Sequence, residues 1–156
     1  MNQFAILPRD PRPLYLCLTC DYLIDGPDPA GTDVKAITNE LKNTVGDPIR
    51  GKQLYHAQVR ATLTATVLPC TGCHQQSVDS EIGPMTDRTY TRVVNERLKE
   101  PQFAGYTAEE YIIESIVLPQ HYIVPGFKDV MVKNFGTEVL DIQDLADIVA
   151  YLMTLK

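Results

Sequence analysis

Five consecutive residues, Cys70-Thr71-Gly72-Cys73-His74, constrain this chain more than any other stretch. Two cysteines separated by two residues and followed at once by histidine form the attachment signature of a c-type haem. The chemistry explains the spacing. Each thiol adds to one vinyl group of a porphyrin, and the two-residue gap lets both thiols reach the same macrocycle edge. The next residue is then turned under the ring, where its imidazole can bind iron. Taken alone, the motif also fits half of a zinc site, so the rest of the chain has to decide.

A chain of 156 residues suits one domain plus an extension. Hydrophobic content of 44% with 22% charged residues reads as soluble and globular rather than disordered. The net charge of −6 argues against nucleic-acid binding and suits docking on a basic partner. No apolar run reaches the length of a membrane-spanning helix; the stretch around Ala61–Pro69 is far too short and rich in threonine.

The first residues, Met1 to Arg9, lack the apolar core of a secretory signal. Covalent haem attachment takes place on the outer, positive side of an energy-coupling membrane. The expectation is therefore a periplasmic or other positive-side protein, membrane-associated or free, whose export signal lies outside the quoted sequence or ahead of its assigned start.

Residues 1–46 read as an irregular arm and 47–156 as the domain. Pro8, Pro11 and Pro13, with Arg9 among them, favour extended backbone. A second pair, Cys17 and Cys20, has no histidine after it, and Asp25-Gly26-Pro27-Asp28-Pro29 is a turn cluster. The stretch Tyr15 to Asp33 is similar to the first cysteine knuckle of a rubredoxin, although Asp21 stands where the knuckle has glycine. Three readings stay open for Cys17 and Cys20: a disulfide, a half metal site completed by a partner chain, or a lipid anchor.

In the domain, Asp47 and Pro48 supply the cap and first position of a helix that contains Gly51 and Tyr55. A glycine inside a helix costs about 1 kcal/mol relative to alanine, so it marks close contact with another element. His56, Gln58 and Arg60 read as solvated helix residues, and Ala61–Pro69 as a loop or short extended piece. Tyr90, Val93, Val94 and Leu98 have helical spacing within Thr89–Leu98. Thr107 and Glu110 form a capping box before a helix ending ahead of Pro119, with Tyr106 and Tyr111 placed as a hydrophobic staple. Leu140 and Leu145 staple the last helix, with Asp141 as cap and Asp144 three residues on. Its inner face is Leu145, Ile148, Val149, Leu152 and Leu155, with Tyr151 beside them.

In order along the chain, Gly51 and Tyr55, Cys70–His74, Gly83-Pro84, the Thr107–Leu118 helix, the Pro125–Met131 loop and Leu145–Leu152 resemble the class I monohaem cytochromes c over Asp47–Lys156. The resemblance implies an all-α fold, three to five helices around one covalently attached haem c, with the irregular N-terminal extension added. It implies that Gly51 lets the last helix cross closely, with Tyr55 and Tyr151 packed at the crossing. Cys70 and Cys73 would hold the haem, His74 would bind iron, and the Pro84 carbonyl would accept from His74 Nδ1–H.

Met131 would be the sixth ligand; His56 and His121 are its rivals for a bis-histidine site. Two departures stand out: Val132, where relatives commonly have proline, and a Tyr55–Cys70 connection longer than in compact relatives. With the arm, that connection reads as docking surface for a larger assembly.

The function implied is single-electron transfer, not independent catalysis, as a carrier or as a subunit of a respiratory or photosynthetic complex, with redox proteins as partners. A His/Met pair would raise the reduction potential, because a soft thioether favours Fe(II). The alternatives are a haem enzyme or gas sensor with an open distal site, and an iron or zinc module built from Cys17, Cys20, Cys70 and Cys73.

Overall fold

The computed structural model describes residues 27–156 and three two-residue strands, Ala5–Ile6, Tyr15–Leu16 and Leu23–Ile24, which pair antiparallel in that order. From residue 27 onward the architecture is helical, and no helix among the described residues is long and apolar enough to cross a membrane.

A helix that the sequence reading did not anticipate comes first. This helix, α1 (Val34–Leu41), is capped by Asp33, whose Oδ1 accepts from Ala36 N–H at 3.0 Å. Val34, Ile37 and Leu41, at i, i+3 and i+7, form its buried face. That face packs against α5 (Ala108–Val117) and α6 (Ile142–Met153). The segment between residue 29 and α1 is bonded to the same body, through Ala30 N–H to Leu140 O at 2.8 Å and Gly31 N–H to Gly136 O at 2.6 Å.

The central crossing is between α2 (Pro48–Tyr55) and α6. Asp47 caps α2, its Oδ1 accepting from Ile49 N–H at 2.8 Å, and Pro48 opens it. A Cβ on Gly51 would lie 1.8 Å from the Asp147 carbonyl oxygen, and one on Gly46 would lie 2.5 Å from that of Ala146. The two backbones therefore touch, and only glycine permits it. The Tyr55 and Tyr151 rings pack at the crossing with centroids 5.6 Å apart.

Two fully buried carboxylates, Asp144 and Asp147, lock the same crossing. Asp147 accepts from Asp47 N–H and Gln143 Nε2, each at 2.8 Å, and from Arg50 Nη1 at 2.5 Å. Asp144 accepts from Thr62 N–H at 2.6 Å, from Thr62 Oγ1 at 2.9 Å and from Arg50 Nη2. Burial works against the charge on Arg50, but its bonds to Asp147 and Asp144 outweigh that and raise its pKa. Thr62 pins the long Tyr55–Cys70 connection, in which Ala57 and Ala65 adopt left-handed φ values of 57° and 52°.

Three local expectations need correction. First, Asp144 does not complete a capping box on α6. Asp141 Oδ1 does accept from Asp144 N–H at 2.7 Å, but the Asp144 carboxylate turns to Arg50 and Thr62. Second, the Tyr106–Tyr111 staple closes through Phe103, whose ring lies 5.4 Å from Tyr106 and 4.9 Å from Tyr111. The Thr107–Glu110 capping box itself is complete. Third, α2 stops at Tyr55, so His56, Gln58 and Arg60 lie beyond it, and His56 bonds the Tyr151 hydroxyl at 3.2 Å.

Between α2 and α5 stand the one-turn α3 (Cys70–Cys73) and α4 (Thr89–Asn95), with 3-10 turns at Arg97–Lys99 and Pro101–Phe103. Leu98 thus falls in a 3-10 turn rather than on α4, and Val94 is exposed. A wide turn over Phe135–Val139 precedes α6. On α6, Leu145, Ile148, Val149 and Leu152 are buried as expected, while Leu155 is half-buried beyond its end.

Candidate functional site

The helices leave a partly open cleft of about 230 Å³, bounded by α3, α4, α5, α6 and the loop before the Phe135–Val139 turn. Leu68, Ile112, Ile116, Phe135, Ile148 and Leu152 contribute to a mostly apolar lining. Cys70, Cys73, His74, Pro84 and Met131 also line it. Five residues singled out from sequence are therefore gathered around one space.

The first three arrive there through local backbone. Cys70–Cys73 form a single helical turn, closed by His74 N–H donating to Cys70 O at 2.8 Å. At His74 the backbone becomes extended and the chain leaves the helix. Both cysteines carry free thiols. Burial pushes the Cys70 thiol up to about 11, so it stays protonated at neutral pH.

The imidazole of His74 is fixed from one side. Its Nδ1 lies 2.9 Å from Pro84 O, and a carbonyl can only accept, so the proton sits on Nδ1. With Nδ1 engaged by that carbonyl, Nε2 is the ring nitrogen left to ligate a metal. A Cβ on Gly83 would lie 2.9 Å from His74 Cε1, so glycine is needed there for the approach of the ring. The Gly83-Pro84 pair thus serves His74 twice, by clearance and by the carbonyl.

Four residues that sequence reasoning missed hold this loop closed. Ser80 Oγ donates to Cys73 O at 2.7 Å and accepts from Gly83 N–H at 2.9 Å. Asp79 Oδ1 accepts from Met85 N–H at 2.8 Å. Thr86, 1% exposed, donates its hydroxyl to His74 O at 3.1 Å and accepts from the Tyr55 hydroxyl at 3.0 Å. Burial raises the Tyr55 phenol well above its usual range, which keeps it a donor. The Arg92 guanidinium donates to Met85 O and Asp87 O. Ser80 and Thr86 belong to residue types that bond nearby backbone in turns, which is the one signal sequence offered for them; Arg92 had none.

Among the described methionines, Met131 and Met85 line the cleft, while Met153 is half-buried on α6. Met85 follows Pro84 directly and its backbone is tied into the His74 loop, so it belongs to the histidine side. Met131 comes from the separate loop after α5. Neither His56 nor His121 is brought to the cleft; His121 is exposed in the turn after α5. Cys17 and Cys20, with residues 17–22 and 25–26 of the rubredoxin-like stretch, lie outside the described residues. Among the described residues no His, Cys, Asp and Glu cluster forms a separate metal site.

A family model described as Cytochrome c matches residues 48–156. The chain belongs to the cytochrome c family. Comparisons with curated proteins and with solved structures return no match. As a class I cytochrome c this protein carries covalently attached haem c and takes part in haem-based electron transfer. Its own residues fit that group: two free thiols, an imidazole held through Nδ1 by the Pro84 carbonyl and an apolar cleft meet in one place. The cleft also holds an orphan: the buried hydroxyl of Tyr122, one of its lining residues, finds no partner among the described residues.

Proposed function

We propose that Cys70 and Cys73 bind the haem by thioether bonds, that His74 and Met131 are its axial ligands, and that Pro84 orients His74. When bound, haem supplies a one-electron Fe(III)/Fe(II) couple. The chain's own part is to bind, orient and shield. His74 presents Nε2 while Pro84 O holds the Nδ1 proton, which raises the basicity of the ligand. The apolar lining excludes water, and Met131 offers a soft thioether from a different loop. With both axial positions filled, the protein works as an electron carrier rather than as an enzyme. The observation that carries the reading is the His74 Nδ1–Pro84 O bond at 2.9 Å beside two free thiols in a cleft that Met131 also lines.

The setting proposed is a periplasmic or other positive-side compartment, with the cytochrome as a mobile carrier or a subunit of a respiratory or photosynthetic complex. The chemistry that attaches haem outside the cytoplasm supports the compartment. The N-terminal stretch and the Thr62-pinned connection give surface beyond the haem cleft for such an assembly.

Intact mass after denaturation tests the attachment. The wild-type chain should retain the mass of one haem, and the double variant Cys70→Ser with Cys73→Ser should lose it. Met131→Ala should keep the haem mass while its midpoint potential falls, because a soft thioether has been removed. Retention of haem by the double variant, or an unchanged potential in Met131→Ala, would contradict the assignment.

A further inference from the structure

The loop that carries Met131 is anchored from outside the cytochrome domain's own helices. From Tyr122 to Lys133, every hydrogen bond among the described residues stays inside the loop: Phe127 N–H to Val124 O, Val130 N–H to Lys128 O, and the Lys133–Asp129 pair. Exposed Val130 and Val132 flank Met131. Backbone polar groups with no partner elsewhere do not fix a loop's position. At its start the Tyr122 ring packs on Phe103 and Tyr111. At its far end the loop runs into the Phe135–Val139 turn, which is where it meets the rest of the fold after Met131.

That turn is clamped by the segment ahead of α1. Gly31 N–H donates to Gly136 O at 2.6 Å, and Ala30 N–H donates to Leu140 O at 2.8 Å. The contact has no slack, since a Cβ on Gly136 would lie 2.0 Å from Gly31 O and 3.0 Å from Val117 Cβ. Gly31 itself sits at φ +85°, a conformation suited to glycine. The clamp is in turn seated on the core by buried Val34, Ile37 and Leu41, and by the Lys35–Glu110 ion pair at 2.6 Å. Phe135, adjacent to Gly136, is buried and lines the haem cleft.

We infer that residues 29–41 are an internal splint that holds the Met131 loop in its ligating position. Gly31 and Gly136 are the positioning residues, acting through the Phe135–Val139 turn. The inference rests on Met131 being the distal ligand. The splint's free energy is then coupled to the iron–thioether bond: loosening it raises the fraction of protein with the distal site open. A ligand that binds only the open form reports that fraction, because apparent affinity scales with it.

The test is carbon monoxide titration of the reduced, full-length holoprotein, with midpoint potential as a second readout. Gly136→Ala forces the two backbones apart, and Gly31→Ala is a milder variant with nothing within 4 Å of the new Cβ. Each should keep its covalent haem and bind carbon monoxide more tightly, Gly136→Ala by about tenfold or more, with a fall in potential. Thr62→Ala, which loosens the remote Asp144 contact, is the control for general destabilisation. It should leave both readouts at wild type.

Wild-type behaviour of Gly136→Ala and Gly31→Ala, or an equal rise in Thr62→Ala, would overturn the splint. Met131→Ala separates the two levels. If it binds carbon monoxide no better than wild type, the ligand reading falls and takes the splint with it. If it binds tightly while both glycine variants stay at wild type, the splint alone falls.

Discussion

At the scale of single residues, the site is built from clearances as much as from bonds. Gly51 and Gly83 stand where a methyl group would collide, one with the backbone of α6 and the other with the His74 imidazole. Gly51→Ala should therefore destabilise the fold by about 3 kcal/mol or more, at the upper end of overpacking costs, since the obstacle is a carbonyl that cannot rotate away. Chemical denaturation should show this while the haem spectrum of the remaining folded protein stays unchanged.

Cys70, Cys73 and His74 stood out by residue type at fixed spacing, and Pro84 and Gly51 through the family resemblance. The structure brings the first four to the cleft and puts Gly51 at the helix crossing. Thr86 and Arg92 did not stand out. Thr86 meets Tyr55 across 31 residues, and Arg92 caps the Met85 and Asp87 carbonyls by folding back over the loop. A threonine and an arginine look like ordinary surface residues until the loop closes around them.

At the scale of elements, the capping chemistry predicts how helices respond to substitution. Burial raises the pKa of Asp141, with backbone bonds from Asp144 and Gln143 opposing it. Its value to α6 is as a hydrogen-bond acceptor rather than as a charge. Asp141→Asn should keep stability within a few tenths of a kcal/mol of wild type, whereas Asp141→Ala should lose about 1 kcal/mol. Thermal melts of the two variants at neutral pH distinguish these outcomes.

Glu110 behaves in the opposite sense. The Lys35 hydrogen bond, together with the Thr107 N–H, holds its carboxyl below the ordinary value. A carboxylate with a lowered folded-state pKa contributes stability that is full above the unfolded value. That contribution is lost as pH falls through the folded value. Glu110→Gln should therefore lower the melting temperature at pH 7 and converge on wild type at the acid end, as a pH series of melts would show.

Helix α1 also belongs at this scale. Asp33 followed by Val34, Ile37 and Leu41 is a cap and an i, i+3, i+7 face, so the signal was present. The turn cluster just before it drew attention away from that signal, so the helix was not anticipated within the arm. What sequence could not carry was the destination of that face, because its partners on α5 and α6 lie far along the chain.

Across the whole molecule, the net charge of −6 gives a testable expectation for how the cytochrome meets a charged redox partner. Attraction to a positively charged redox partner should speed electron exchange at low salt, and the rate should fall by roughly an order of magnitude as added salt screens it. Stopped-flow exchange with a basic and an acidic partner, across a salt series, checks the sign. The fold class was readable because the pieces of the family occur in order. The tie between residues 30–31 and the Phe135–Val139 turn was not, since it consists of backbone bonds from Ala30 and Gly31 that no residue type announces.

The central claim is that Met131 closes the iron's distal side opposite His74. The weak near-red charge-transfer band of an Fe(III)–thioether bond in the oxidised protein tests it most directly. Wild type should show the band, and Met131→Ala should lack it while keeping its covalent haem. A wild-type spectrum without the band, or a Met131→Ala spectrum that retains it, would contradict the account.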